Sequence, residues 1–221
     1  MLKGNMLIAH GGGPTPVINS SLLGAVREAK KHPEIKTVYG ARFGAEGILA
    51  GDLIDLGAVP DEQLDLLART PASAIGSCRR KLTDADYPAV LECFKKFNIR
   101  YFFYNGGNDS MDTCNKVYQL AVKSGYELRV IGIPKTIDND LAVTDHCPGF
   151  GSAAKYAAAS ALEIAQDAAA LPIHVVVMEM MGRNAGWITA ASALFTDLMP
   201  CEHLVYLPET DFDKDEFLAA V

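Results

Sequence analysis

The chain has no apolar run approaching the about 18 residues of a membrane-spanning helix, so no part of it is expected to cross a bilayer. Its opening, MLKGNMLIAHGGG, has only a short apolar part and no small-residue cleavage site, so a signal peptide is not expected. Cysteine is scarce and scattered: Cys78, Cys93, Cys114, Cys147 and Cys201 form no C-x-x-C pair. Reduced thiols and a cytoplasmic location are therefore expected, and CEH at 201–203 offers too few convergent ligands for a soft metal. Basic residues are outnumbered, 20 Lys and Arg against 27 Asp and Glu, a net charge of −7. That balance speaks against general nucleic-acid or membrane-surface binding, although a local cluster of cations could still hold a small anion.

Three catalytic signatures are missing as well. The first glycine loop lacks G-x-G-x-x-G, and no acidic residue follows a second strand where a ribose would need one, which argues against a dinucleotide dehydrogenase. There is no G-x-x-x-x-G-K-[ST] phosphate loop. HGGG at 10–13 resembles an esterase oxyanion loop, but no G-x-S-x-G elbow supplies a nucleophile.

What is present is a globular chain of 221 residues, half of them apolar, enough for one large domain or somewhat more. Its hydrophobic period alternates between short strand-like runs and helical stretches, the pattern of a doubly wound, Rossmann-like parallel α/β sheet. Strands are expected at NMLIAH, TVYGAR, RYFFYN, RVIGI, IHVVVMEM and HLVYLP, with RYFFYN and RVIGI buried. Helices are expected at VINSSLLGAVREAKKH, DEQLDLLART, DADYPAVLECFKKF, MDTCNKVYQLAVKSG, SAAKYAAASALEIAQDAAA and WITAASALF. DKDEFLAAV begins a further helix at the end of the chain.

Charged residues at strand ends mark the chemistry. PKTIDNDL, residues 134–141, gathers Lys135, Asp138 and Asp140 just after RVIGI, and ligands of open α/β sheets bind at the carboxyl ends of strands. Glycines follow three strands, at Gly11–Gly13, Gly106–Gly107 and Gly182, where backbone N–H groups can approach phosphate oxygens. GSCRR at 76–80 adds Arg79, and MMGRNAGW adds Arg183 directly after a strand; an arginine fork suits phosphate. Phosphoryl transfer needs cations around the moving group, carboxylates for Mg²⁺ and a base at the attacking hydroxyl. Lys135 and Arg79 meet the first need, Asp138 and Asp140 the others.

GGGPTPVIN, GSCR, GGNDS, PKTIDNDL, GFGSAA and EMMGRNAGW occur together in an order and spacing that resembles the phosphofructokinase family across essentially the whole chain. The resemblance implies that residues 1–145 bind the phosphoryl donor. It implies that 146–221 begin a second α/β domain, for fructose 6-phosphate, in a chain that is the N-terminal part of a longer homo-oligomeric protein. Asp138 would take the proton from the sugar C1 hydroxyl, with Lys135 and Arg183 as further catalytic residues. Thr136, Asp138, Asp140, Met181, Gly182 and Arg183 would meet the sugar phosphate. Gly13, Arg79, Gly107, Asp109, Ser110 and Lys135 would lie on the donor, with Asn108, Asp109 and Asp140 as Mg²⁺ ligands. The family's ATP-using members carry glycine where this chain has Asp109 and Lys135, so the resemblance points to pyrophosphate as donor. An ATP-dependent enzyme and a non-catalytic regulatory subunit are the alternatives. Asn108 departs from the family's metal-binding Asp, and His174 from an arginine that reaches a neighbouring subunit's substrate.

Overall fold

The computed structural model describes residues 2–173, 175–199 and 201–221. The chain divides into two compact units, Met1–Lys135 and Thr136–Val221. The first unit is an α/β layer structure. Its elements run β1 (Gly4–His10), α1 (Ile18–Ala29), β2 (Ile35–Ala41), α2 (Ala45–Ala50), β3 (Leu53–Asp55) and α3 (Asp61–Leu66), followed by α4 (Tyr87–Lys96), β4 (Ile99–Gly106), α5 (Asn108–Lys123) and β5 (Arg129–Pro134). The sheet order is β3-β2-β1-β4-β5, all parallel except β3, which pairs antiparallel with β2.

Side chains of β1 alternate between two cores. Leu7 and Ala9 join Phe102, Tyr104, Phe94 and Val117 beneath α4 and α5. Met6 and Ile8 join Leu22, Leu23, Val26 and Val38 beneath α1. A central parallel strand covered on both faces reads as one continuous apolar run, which is why MLIA shows no polar alternation. The helices follow from the same economy of burial. In α1, Ile18, Leu22, Leu23, Val26 and Ala29 form the buried stripe, with Arg27 in the last turn, where the helix dipole favours a cation. In α4, Val90, Leu91 and Phe94 face the core, and Lys95 and Lys96 occupy the last turn.

β5 is not the buried strand expected of RVIGI. It lies at the sheet edge, has one neighbour, and leaves Ile131 about half exposed. Two short elements, α2 and β3, escape the hydrophobic period because six and three residues are too few to display one.

The second unit holds α6 (Phe150–Ala170), α7 (Trp187–Ala191) and α8 (Lys214–Ala220). Cys147, Phe150, Ala157 and Ile188 form its small core. The strands expected at 173–180 and 203–208 do not form among the described residues, and His174 lies outside them. A strand needs a ladder partner for its backbone groups, and these runs pair with no strand among the described residues; Val175, Val176 and Val177 are exposed. As described, this unit is helical, and Thr136 and Gly149 make one isolated β-bridge. Among the described residues no helix is long and apolar enough to cross a membrane, and all five cysteines are free thiols.

Candidate functional site

The sheet order places the carboxyl ends of β1 and β4 side by side where the chain changes direction through the sheet. That crevice is where open α/β sheets take ligands. The glycine triplet leaves β1 here. Gly11 donates its N–H to the Asn105 carbonyl and Gly12 donates to that of Cys78, both at 2.9 Å. Among the described residues, the Gly13 N–H has no backbone acceptor. Gly12 sits at φ +77°, a conformation glycine adopts without strain. Gly11 and Gly106 are close-approach positions: a β-carbon on either would collide with the Ser110 hydroxyl. Ser110, expected on the donor, is buried in the first turn of α5, where its hydroxyl hydrogen-bonds Tyr104.

Two cations reach the triplet. The Lys135 Nζ lies 3.6 Å from where a Gly12 β-carbon would stand, and an Arg79 guanidinium nitrogen lies 3.3 Å from the corresponding point at Gly13. Lys135 is 9% exposed, and its N–H donates to the Gly106 carbonyl at 3.0 Å. Gly107 caps α5, whose first N–H groups have no intrahelical acceptor and give a partial positive charge. Gly13, Arg79, Gly107 and Lys135 thus converge within the first unit, a setting suited to a compact, multiply charged anion.

The loop bearing Arg79 is held by contacts that sequence reasoning did not find. Ser77 donates its hydroxyl to the Gly12 carbonyl at 2.6 Å. Asn19, fully buried in α1, donates to the Thr70 carbonyl and accepts the Ala74 N–H, both at 2.8 Å. The signal for Asn19 was its place on the buried stripe between Ile18 and Leu22, where an amide must find partners. His10, also fully buried, has Nδ1 2.6 Å from the Ser73 hydroxyl, while Nε2 has no hydrogen-bond partner among the described residues. Burial first, and then the Lys135 charge, push its pKa down to about 4, so the imidazole is neutral near pH 7. Arg80 does not join the site: it pairs with Glu46 at 3.0 Å and Asp86 at 2.8 Å and fixes the loop to the scaffold. Asp109 lies in the first turn of α5 and pairs with Lys81 at 3.1 Å.

In the second unit, PKTIDNDL continues as a tight turn. The Thr136 hydroxyl donates to Asp140 and accepts the Asp138 N–H, both at 3.0 Å. Asn139, at φ +58°, donates to the Asp145 carbonyl and accepts the Cys147 N–H, which pins the segment after the turn. Asp138 is half-buried and Asp140 exposed. Met181 and Arg183 are exposed and flank Gly182, whose φ of +137° and tight approach to the Ala185 carbonyl admit no larger residue without strain.

Among the described residues no three His, Cys, Asp or Glu side chains cluster closely enough to form a metal cage. Mg²⁺ does not require one, because it binds through one or two carboxylates, waters and substrate phosphates. Asp140 is exposed, and one of its oxygens accepts a hydrogen bond from the Thr136 hydroxyl. In the first unit Asn108 is exposed, and the Asp109 carboxylate faces the Lys81 ammonium.

The phosphofructokinase family model matches residues 5–221. The chain belongs to the phosphofructokinase family. It is 47% identical to a pyrophosphate–fructose 6-phosphate 1-phosphotransferase of Halomonas elongata, over all of this chain and 55% of that protein. It is 48% identical to the enzyme of that name from Methylococcus capsulatus, with the same coverage. The crystal structure of a pyrophosphate-dependent phosphofructokinase from Marinobacter aquaeolei superposes with a TM-score of 0.86 at 44% identity, over 99% of this chain and 56% of that one. The chain therefore spans about half the length of these relatives.

Proposed function

We propose that the chain serves Mg²⁺-dependent phosphoryl transfer from pyrophosphate to the C1 hydroxyl of fructose 6-phosphate, a glycolytic step giving fructose 1,6-bisphosphate and phosphate. The observation that carries this reading is the buried Lys135 ammonium beside Gly12, with Arg79 beside Gly13 and the α5 N-terminus at Gly107. These groups suit a short inorganic diphosphate, and relatives bearing the pyrophosphate-dependent name support the choice. The first unit is the donor domain, with Ser110 bracing the glycine loops. The second unit begins the sugar-phosphate domain of a homo-oligomer. Asp138 accepts the proton as the C1 oxygen forms its bond to phosphorus and the bridging P–O bond breaks. Thr136 holds Asp138 and Asp140 in one turn, while Met181, Gly182 and Arg183 meet the sugar phosphate.

On this reading Asp140, Asn108 and Asp109 are the candidate Mg²⁺ ligands, Asp109 the weakest because Lys81 already pairs with it. The bound cation would neutralise charge on the transferred group. Lys135 and Arg79 oppose the charge of the same group, and Asp138 acts on the hydroxyl proton alone.

The test is formation of fructose 1,6-bisphosphate from fructose 6-phosphate, pyrophosphate and Mg²⁺ by the full chain, beside Asp138→Asn. The variant is expected to lose about 10²–10⁴-fold in turnover, the usual contribution of a general base, with sugar-phosphate binding little changed. Near-normal turnover would remove Asp138 from the mechanism, and absence of product in the wild type would remove the activity.

A further inference from the structure

Asp109 does not stand alone at the donor loops. Its carboxylate meets the Lys81 ammonium at 3.1 Å, and Lys81 lies two residues beyond Arg79 on the loop that Ser77 ties to Gly12. The pair therefore joins the Arg79 loop to the first turn of α5, the two segments that bring Arg79 and Gly107 to the anion site. Both side chains are largely exposed, at 75% and 71%, so the pair does little for folding. Its position matters more than its strength. Without a counter-ion, Asp109 would set a full negative charge beside a diphosphate. With Lys81 in place, that charge is offset, and a longer polyphosphate extending towards α5 must first displace a closed ion pair.

We propose that Lys81 is a further donor-specificity residue, which, on the functional reading above, shields pyrophosphate from Asp109 and holds Asp109 as a gate against longer phosphate chains. Exclusion of longer donors then depends on the pair rather than on repulsion by Asp109 alone. Removing Asp109 releases a lysine able to meet a third phosphate.

The probes are pyrophosphate and inorganic tripolyphosphate, titrated calorimetrically into the full chain without sugar phosphate. The proteins are wild type, Lys81→Ala, Lys81→Arg, Asp109→Gly and the Asp109→Gly/Lys81→Ala double variant. Lys81→Ala is expected to weaken pyrophosphate binding by up to about fivefold at low salt, an effect that shrinks as ionic strength rises and is restored by Lys81→Arg. In turnover, the loss should fall on KM rather than kcat. Asp109→Gly is expected to tighten tripolyphosphate, and the double variant to lose that gain. Unaltered pyrophosphate affinity in Lys81→Ala, or a tripolyphosphate gain that survives loss of Lys81, would overturn the inference while leaving the functional reading intact. A wild type that binds no pyrophosphate would overturn both.

Discussion

Ser77 and Gly12 are joined by one hydrogen bond, the Ser77 hydroxyl donating to the Gly12 carbonyl at 2.6 Å, and the Gly12 N–H returns a second bond to the carbonyl of Cys78, next in sequence. This double tie locks the loop carrying Arg79 to the loop carrying Gly13. Ser77→Ala removes one strand of it. The expected cost is about 0.5–1.5 kcal/mol in stability, the ordinary worth of one hydrogen bond. A several-fold rise in KM for the phosphoryl donor should accompany it as Arg79 gains freedom. Thermal unfolding and donor titration check the two halves separately.

Glycines in this chain differ sharply in what an added methyl would meet. At Gly106, a β-carbon would collide with Ser110 and press to 2.8 Å against the Gly11 carbonyl, both on rigid segments. Gly106→Ala is therefore expected to cost about 1–3 kcal/mol, as overpacking does. At Gly24, inside α1, nothing lies within 4 Å. Gly24→Ala is expected to stabilise by about 0.5–1 kcal/mol through helix propensity alone. Opposite signs in parallel denaturant titrations would confirm the contrast.

His10 makes stability depend on pH. Its folded pKa of about 4 lies below the ordinary imidazole value of 6.5, so the unfolded chain takes up this proton first as pH falls. The contribution is complete above about pH 6.5, declines as pH drops, and levels off near 4, a total of about 3 kcal/mol. His10→Gln should flatten the stability profile over that window, measured by urea unfolding at successive pH values. An unchanged slope would show that other groups govern it.

The sequence displayed this architecture where burial is one-sided or complete over enough residues to show a period. MLIA and the stripe Ile18, Leu22, Val26 are such cases, and both formed as expected. It misled where a strand's existence depends on a neighbour that the segment itself cannot encode. VVVMEM is as apolar and β-branched as a core strand, yet it forms no strand among the described residues and leaves Val175, Val176 and Val177 exposed. In the first unit the sequence singled out Gly13, Arg79 and Lys135, because glycine and cation at strand ends have few structural uses, and the fold brings the two cations to the glycine loop. Lys81, Ser77, His10 and Asn19 were not, since their roles arise from loop-to-loop contacts across long stretches of sequence. Arg80, next to Arg79 in sequence, is claimed instead by two carboxylates, Glu46 and Asp86.

The choice of donor is the centre of the account, and competition tests it most directly. The full chain is supplied with fructose 6-phosphate, Mg²⁺ and equal concentrations of pyrophosphate and ATP, and phosphorus resonances are followed by NMR. The account predicts that the pyrophosphate signal falls while inorganic phosphate and a sugar C1 phosphate rise in equal amounts, with the ATP resonances unchanged. Loss of the ATP γ-phosphate while pyrophosphate persists would contradict it.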